Sequence, residues 1–202
     1  MGPDLAADYQ LLTKKLGEFY DFSGKVVLLV GAGHGQLLDP SIEIRKLIAV
    51  DKDRDALKEF EKKIEADGRQ SSVELIHSEF EKVTSRGDVV YFEFCLHEMA
   101  DPFFSLKHAK TLAPEVVVFD HSPASGWMFF GAEEDQVRRS SVAMKDFGIR
   151  RHSSFVTAQR FGDYSELVSK MSAQGPLAFQ RIERYSGATN FVIPMICELA
   201  LL

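Results

Sequence analysis

The sequence predicts an α/β fold: one mostly parallel sheet with helices on both faces. Short runs of Val, Leu and Ile, each ended by glycine or a charged residue, alternate with helix-like segments up to Asp120. Such runs are typical of buried parallel strands. Two later runs are joined at Ser186-Gly187, and strands joined so tightly pair antiparallel, which closes the sheet with a C-terminal hairpin. The predicted strands are residues 26–30, 47–50, 73–76, 88–94, 115–120, 177–184 and 190–201.

Three glycines at alternate positions follow the first predicted strand. Gly31, Gly33 and Gly35 lie where that strand must turn into a helix. Glycine tolerates positive φ there, and its missing side chain lets a ligand approach the backbone. The next strand ends in Asp51, about 20 residues past the first glycine, where an acid suits the two hydroxyls of a ribose. The pattern therefore predicts a nucleoside-containing ligand across the tips of two neighbouring strands.

The glycine spacing favours one class of cofactor over another. A dinucleotide fingerprint, G-x-G-x-x-G, requires a glycine where this chain has Gln36. The observed G-x-G-x-G resembles motif I of the class I S-adenosylmethionine (SAM)-dependent methyltransferases, whose loop wraps the amino-acid portion of the cofactor. That family usually has an acid two residues before the first glycine, where this chain has Leu29. The departure implies either weaker cofactor binding or an amino group held from elsewhere.

The predicted order of strands strengthens this resemblance. The family has a Rossmann-like sheet that ends in an antiparallel hairpin, whereas the dinucleotide fold is all parallel. The resemblance covers about residues 4–120 and 177–202. It implies a single domain over residues 1–202, with SAM at the strand tips.

Further cofactor residues follow from the resemblance. Glu79 matches the acid that accepts a hydrogen bond from the adenine amino group, and Phe80 would lie beside the ring. Residues 95–99, CLHEM, resemble motif IV of the branch that includes ubiquinone and menaquinone C-methyltransferases. This implies that the backbone around Phe94 and Cys95 also contacts SAM.

Two histidines are the candidate catalytic groups. His97 and His121 follow the fourth and fifth predicted strands, and strand carboxyl ends face the ligand crevice of such sheets. Their ordinary pKa suits a general base. Methyl transfer from a sulfonium can proceed largely by positioning, so a base is needed only where the acceptor must lose a proton. The histidine spacings match no metal-binding motif, and no metal is predicted.

Helix signals are strong at some places and ambiguous at others. Residues 4–20 have apolar positions at helical spacing, which fits either a core helix or a lid over the cofactor. Pro40 predicts a short or kinked first crossover helix. Asp53 is a candidate N-cap for a helix over residues 53–66, and Asp101-Pro102 is the start of another.

The predicted substrate side is an insertion at residues 122–162. Regular alternation is lost there, and aromatic residues are interleaved with arginines. Such a surface could stack RNA bases or line a pocket for a small aromatic or anionic acceptor. The acidity of the chain favours the pocket, with Trp127, Phe130 and Arg138 as acceptor contacts. A helix over residues 162–173 is predicted to follow.

Composition limits the function classes. The chain of 202 residues has a net charge of −6, which argues against nucleic acid as the main partner. Two isolated cysteines offer no disulfide framework and favour a cytoplasmic setting. The apolar runs of the chain are far shorter than the ~20 residues of a membrane span.

The prediction is a SAM-dependent methyltransferase for a small-molecule acceptor. The alternatives are a non-catalytic SAM-binding or cofactor-less scaffold of the same fold, and an NAD-dependent oxidoreductase.

Overall fold

A computed structural model describes residues 8–33 and 42–202, and within these residues seven strands form one sheet in the order β3-β2-β1-β4-β5-β7-β6. The strands are β1 Val26–Val30, β2 Lys46–Asp51, β3 Val73–His77, β4 Val89–Glu93, β5 Glu115–His121, β6 Arg151–Asp163 and β7 Thr189–Leu201. The helices are α1 Tyr9–Phe19, α2 Arg54–Ala66, α3 Pro102–Leu112, α4 Gly126–Gly131, α5 Glu134–Phe147, α6 Tyr164–Lys170 and α7 Pro176–Ile182.

The pairing confirms the predicted fold class. Strands β1 to β5 are mutually parallel, and β7 is antiparallel to both of its neighbours, β5 and β6. Alternate strand residues face two apolar layers, such as Val27 and Leu29 on one face and Leu28 and Val30 on the other. Both faces of the sheet are therefore buried, which explains the continuous apolar runs of its central strands.

The predicted partner of the last strand is wrong. Residues 177–184 fall in α7 and the short 3₁₀ turn after it, and the strand that pairs with β7 is β6, Arg151–Asp163. The two strands are consequently joined by α6 and α7 rather than by a tight turn at Ser186-Gly187. Pro176 starts α7, where its fixed φ suits the first helical turn, and Ala178 and Ile182 are buried one turn apart.

Residues 122–162, where the sequence shows no regular alternation, form regular elements that were not predicted. This stretch contains α4, α5 and most of β6. In β6 the inward positions include two buried polar residues, Thr157 and Gln159, beside Phe161. Polar residues at core positions hid the period-two pattern that would have indicated a strand.

Other predicted elements are found near their expected places. Asp53 caps α2 by accepting hydrogen bonds from the backbone N–H groups of Asp55 and Ala56, at 2.8 and 3.1 Å. Asp101 caps α3 in the same way, with the Phe104 N–H at 3.0 Å. Helix α1 buries Leu12, Leu16 and Phe19 against the sheet. Residues 4–7 of that predicted helix, and the predicted helix at Pro40, lie outside the described residues.

The last two strands extend well beyond the rest of the sheet. Only residues 197–201 of β7 pair with β5, whereas its whole length pairs with β6. The β6–β7 pair therefore continues past the carboxyl end of β5 by roughly 25 Å, at about 3.3 Å per residue. Helices α4 and α6 pack on this extension, and α7 packs on α4 and α6. We call the extension and these three helices the C-terminal wing. Among the described helices, none has the length and apolarity that a membrane crossing requires.

Candidate cofactor and active site

A cavity of about 590 Å³ opens at the carboxyl ends of β1, β2 and β4 and against the turn after β3. Seven of the predicted cofactor residues line it: Gly31, Gly33, Asp51, Glu79, Phe80, Phe94 and Cys95. The eighth, Gly35, lies outside the described residues. Parallel strands bring these residues together because their carboxyl ends meet at one edge of the sheet.

Gly31 allows the first loop to lie directly against the end of β4. Its φ is +69°, and a Cβ at this position would lie 2.5 Å from Cys95 Cβ and 2.6 Å from Cys95 Sγ. Real Cβ atoms do not come so close, so only glycine fits. The Cys95 thiol donates to the carbonyl of Val30 at 3.1 Å, and burial raises its pKa well above the ordinary value. Cys95 is therefore a packing residue here, because its thiolate is disfavoured.

Asp51 is oriented by the backbone at the end of β2. Its Oδ2 accepts a hydrogen bond from the Gly33 N–H at 2.7 Å, and its Oδ1 accepts one from the Asp53 N–H at 2.8 Å. Each carboxylate oxygen has further acceptor capacity. The group is thus held in one orientation and can still accept hydrogen bonds from two ligand hydroxyls.

The two predicted adenine residues have different environments. Phe80 is buried, with its ring centroid 5.2 Å from that of Phe92 and 5.1 Å from that of His108. Glu79 is exposed at the rim and forms an ion pair with Lys82 at 2.6 Å, and the hydrogen bond from Lys82 lowers its pKa. The adenine role of Glu79 stays a prediction. It requires a carboxylate that can accept a hydrogen bond from the adenine while it pairs with Lys82.

Phe94 adopts a backbone conformation that is rare for a bulky residue. Its φ is +48°, and its N–H donates to the Phe119 carbonyl at 2.8 Å. The ring lies 4.7 Å from that of Phe119 and 4.8 Å from that of His121, between centroids. A left-handed non-glycine residue costs roughly 1–3 kcal/mol, and such strain is concentrated at ligand sites. The turn after β4 is therefore a candidate contact surface.

The cavity wall is strongly acidic. Among the described lining residues, the carboxylates outnumber the single basic residue, Lys52; the acids are Asp51, Glu79, Glu81, Glu93 and Glu98. A pyrophosphate would be repelled by this wall, whereas a cation would be attracted. The lining therefore fits SAM, which carries a sulfonium and an ammonium, better than NAD. Glu93 and Lys52 were not predicted from the sequence, although Glu93 is visible as a lone charge inside an apolar strand.

The two candidate catalytic histidines flank a buried carboxylate. Asp120, at the end of β5, accepts a hydrogen bond from His97 Nδ1 at 2.5 Å, a second from the His97 N–H at 3.0 Å, and a third from the His121 N–H at 2.8 Å. Burial disfavours the His97 imidazolium, but the charge and hydrogen bond of Asp120 outweigh it and raise the pKa of His97 to about 9. His97 is buried and does not line the cavity.

His121 has the opposite electrostatic state. Burial lowers its pKa to about 4, and its Nδ1 is buried without a hydrogen-bond partner among the described residues. Glu133 lies near the same cluster, and burial raises its pKa. At neutral pH the group therefore contains a charged His97–Asp120 pair beside a neutral His121. Within the described residues, no group of three or more His, Cys, Asp or Glu side chains is arranged to hold a metal ion.

The predicted acceptor residues lie away from the cavity. Trp127 and Phe130 are buried in the C-terminal wing, where Trp127 stacks on Phe161 with centroids 6.1 Å apart. Arg138 is exposed on α5 and pairs with Asp135 at 2.7 Å. The structure does not bring these three residues together with the cofactor residues, and their contact with an acceptor stays a prediction.

Comparison with known proteins relates this fold to methyltransferases. No protein-family model and no curated protein matches the sequence. Among solved structures, a Bacillus halodurans C-125 protein named as a candidate methyltransferase superposes with a TM-score of 0.71 at 15% identity, covering 94% of this chain and 96% of that one. A SAM-dependent methyltransferase from Aquifex aeolicus has a TM-score of 0.57 at 19% identity, covering 97% and 90%. Magnesium protoporphyrin IX methyltransferase from Synechocystis PCC 6803, with bound SAM, has a TM-score of 0.57 at 14% identity, covering 95% and 77%. At these identities the likeness shows a shared fold.

Proposed function

We propose that the protein is a SAM-dependent methyltransferase that acts on a small-molecule acceptor. The observation that carries this proposal is the acidic cavity at the strand tips, in which backbone N–H groups orient the Asp51 carboxylate beside a glycine turn. This combination suits a nucleoside with positive charge. The methyltransferase fold supports the same interpretation over an NAD-dependent oxidoreductase.

Each part of the cavity has a proposed role. Asp51 accepts hydrogen bonds from the ribose hydroxyls, and Glu79 and Phe80 contact the adenine. Gly31 and Gly33, with Gly35 outside the described residues, let the loop approach the amino-acid portion. The strained turn at Phe94 and Cys95 closes the cavity beside the reacting methyl group. Bound SAM supplies an electrophilic methyl group on a sulfonium, so alignment of the acceptor accounts for most of the rate.

The two histidines take different proposed roles. His121 is neutral at pH 7 and can accept a proton from an acceptor, although its low pKa limits it to acceptors that are already acidic. His97 is protonated and held by Asp120, so we assign it to positioning of the turn after β4 rather than to proton abstraction.

The proposal extends to setting and partners. We place the acceptor between the cavity and the C-terminal wing, with Trp127 and Phe130 on the wing and Arg138 reaching it from α5. Two buried free cysteines fit a reducing, cytoplasmic setting. Net charge disfavours nucleic acid as the acceptor.

Titration calorimetry with SAM and with NAD tests the proposal, followed by transfer assays with labelled SAM and a panel of small acceptors. Saturable SAM binding with label transfer would support it. SAM binding with no transfer to any acceptor would indicate the non-catalytic scaffold. Binding of NAD in place of SAM would overturn the assignment.

A further inference from the structure

Glu93 is the most deeply placed acid of the cofactor cavity. It ends β4, lines the cavity and is only 8% exposed, whereas Glu79 and Glu98 are exposed at the rim. Its carbonyl oxygen lies 3.4 Å from where a Cβ on Gly31 would be. The glycine turn and Glu93 thus form adjacent parts of one wall.

The sheet register places this acid on a defined face. Leu29 of β1 lies opposite Tyr91 of β4, and both face the apolar layer that contains α1. Since alternate strand residues share a face, Glu93 lies on the face of Leu29 and Tyr91, two residues nearer the cavity. Leu29 offers no charge to a ligand, so the buried carboxylate on this face of the two central strands is that of Glu93.

The position of Asp51 relates Glu93 to the cofactor. Asp51 ends β2 and Glu93 ends β4, with β1 between them. At about 4.8 Å per strand, their backbones lie roughly 10 Å apart across the sheet edge. A SAM molecule whose ribose is held at Asp51 and whose adenine is held after β3 would extend its amino-acid portion towards Glu93.

We propose that Glu93 binds the α-ammonium group of SAM, and this inference rests on the proposed function. A carboxylate in a poorly hydrated wall attracts a cation more strongly than an exposed one does. A charge-assisted hydrogen bond of this kind is worth about tenfold in affinity or more. Glu93 would therefore select ligands that carry the amino group.

The test measures binding of three ligands to Glu93→Gln by calorimetry. SAM has two cationic groups, the α-ammonium and the sulfonium. S-adenosylhomocysteine keeps only the ammonium of these two, and methylthioadenosine has neither. We expect SAM and S-adenosylhomocysteine to bind about tenfold more weakly or worse, with methylthioadenosine unchanged within about twofold. A loss confined to SAM would assign Glu93 to the sulfonium and overturn the proposal, as would an equal loss for all three ligands.

Glu61→Gln is the control, because it removes one exposed carboxylate charge on α2, outside the cavity. It should change the affinity for S-adenosylhomocysteine by less than about twofold, since exposed charges are screened. An equal loss in both variants would indicate a general field effect and contradict a specific role for Glu93.

A measurement on the unaltered protein covers the case in which Glu93→Gln does not fold. The deaminated analogue of S-adenosylhomocysteine should bind the wild type about tenfold more weakly than the parent compound. Equal affinities would overturn the inference about Glu93 while leaving SAM binding intact. A wild type that binds neither SAM nor S-adenosylhomocysteine would instead overturn the proposed function, and the inference with it.

Discussion

The cofactor cavity and the C-terminal wing are built by different kinds of interaction. In the cavity, backbone geometry predominates: Gly31 has positive φ against Cys95, and Asp51 is oriented by N–H groups. In the wing, aromatic side chains predominate, because Phe161 stacks on Phe191 and Phe191 on Tyr185, with centroids 5.5 and 4.8 Å apart. Substitutions in the cavity should therefore lower SAM affinity, whereas substitutions in the wing should change stability and leave SAM affinity intact.

Gly31→Ala should have the largest combined effect on stability and SAM binding, because it combines a steric clash with backbone strain. The new Cβ would meet Cys95 at 2.5 Å with φ at +69°. We expect a loss of roughly 3 kcal/mol or more in the free energy of unfolding, together with loss of SAM binding. Urea unfolding and calorimetry measure the two quantities.

Gly187→Ala, in the turn that leads into β7, is the matched control for strain alone. Its φ is +75°, but nothing lies within 4 Å of the added Cβ. The expected cost is about 1 kcal/mol, with SAM affinity kept. Equal costs for the two alanine variants would show that close packing against Cys95 does not determine the structure of the cavity.

Trp127→Ala should destabilise the wing and leave the cavity intact. The side chain is 7% exposed and packs in the main apolar layer. Truncation of a buried aromatic residue costs about 3–5 kcal/mol. In the folded fraction, SAM affinity should match the wild type while acceptor turnover falls. The conservative Trp127→Phe should retain most of the stability, and loss of SAM affinity in that variant would place Trp127 in the cofactor site.

The buried His97–Asp120 pair, which belongs to neither region, should make stability depend on pH. The folded pKa of His97, about 9, lies above its ordinary value of 6.5. Its contribution is therefore fully present below pH 6.5 and is lost as pH rises through 9. The loss amounts to a few kcal/mol, because each tenfold change in proton affinity corresponds to about 1.4 kcal/mol. The pKa of Asp120 is lowered, so acidification below its ordinary value also removes stability.

Urea unfolding at pH 6 and at pH 9.5 measures how much of the free energy of unfolding is lost as pH rises. His97→Gln keeps a side chain of similar size that can donate to Asp120 but cannot carry a charge, so its stability should change less over this interval. A wild type with equal stability at both pH values would contradict the charged pairing.

Asp51→Ala should have a small effect on folding and a selective effect on binding. SAM affinity should fall by about tenfold or more, because the two hydroxyl bonds to the carboxylate are lost. The free energy of unfolding should fall by only about 1–2 kcal/mol, because Asp51 also satisfies the N–H groups of Gly33 and Asp53. Calorimetry on the folded variant measures the affinity, and an unchanged value would overturn the ribose assignment.

Prediction from the sequence was most successful where the signal was local. The strand at Val26–Val30, the acid at the end of β2 and the caps Asp53 and Asp101 all follow from residue types at short spacings. Prediction failed at β6, because its inward positions include buried polar residues, and at residues 177–184, where Pro176 starts a helix rather than a strand.

The sequence by itself determined the sheet edge that forms the cavity, because glycine conformation, capping and strand periodicity depend on neighbours along the chain. Only the tertiary structure decided which acid is buried in that cavity, and which histidine is charged. Glu93 reaches the glycine turn because β4 pairs with β1, and Asp120 reaches His97 because β5 pairs with β4. The pKa values of the two histidines differ because burial and a partner charge act on them in different proportions, and both arise from contacts between residues distant in sequence.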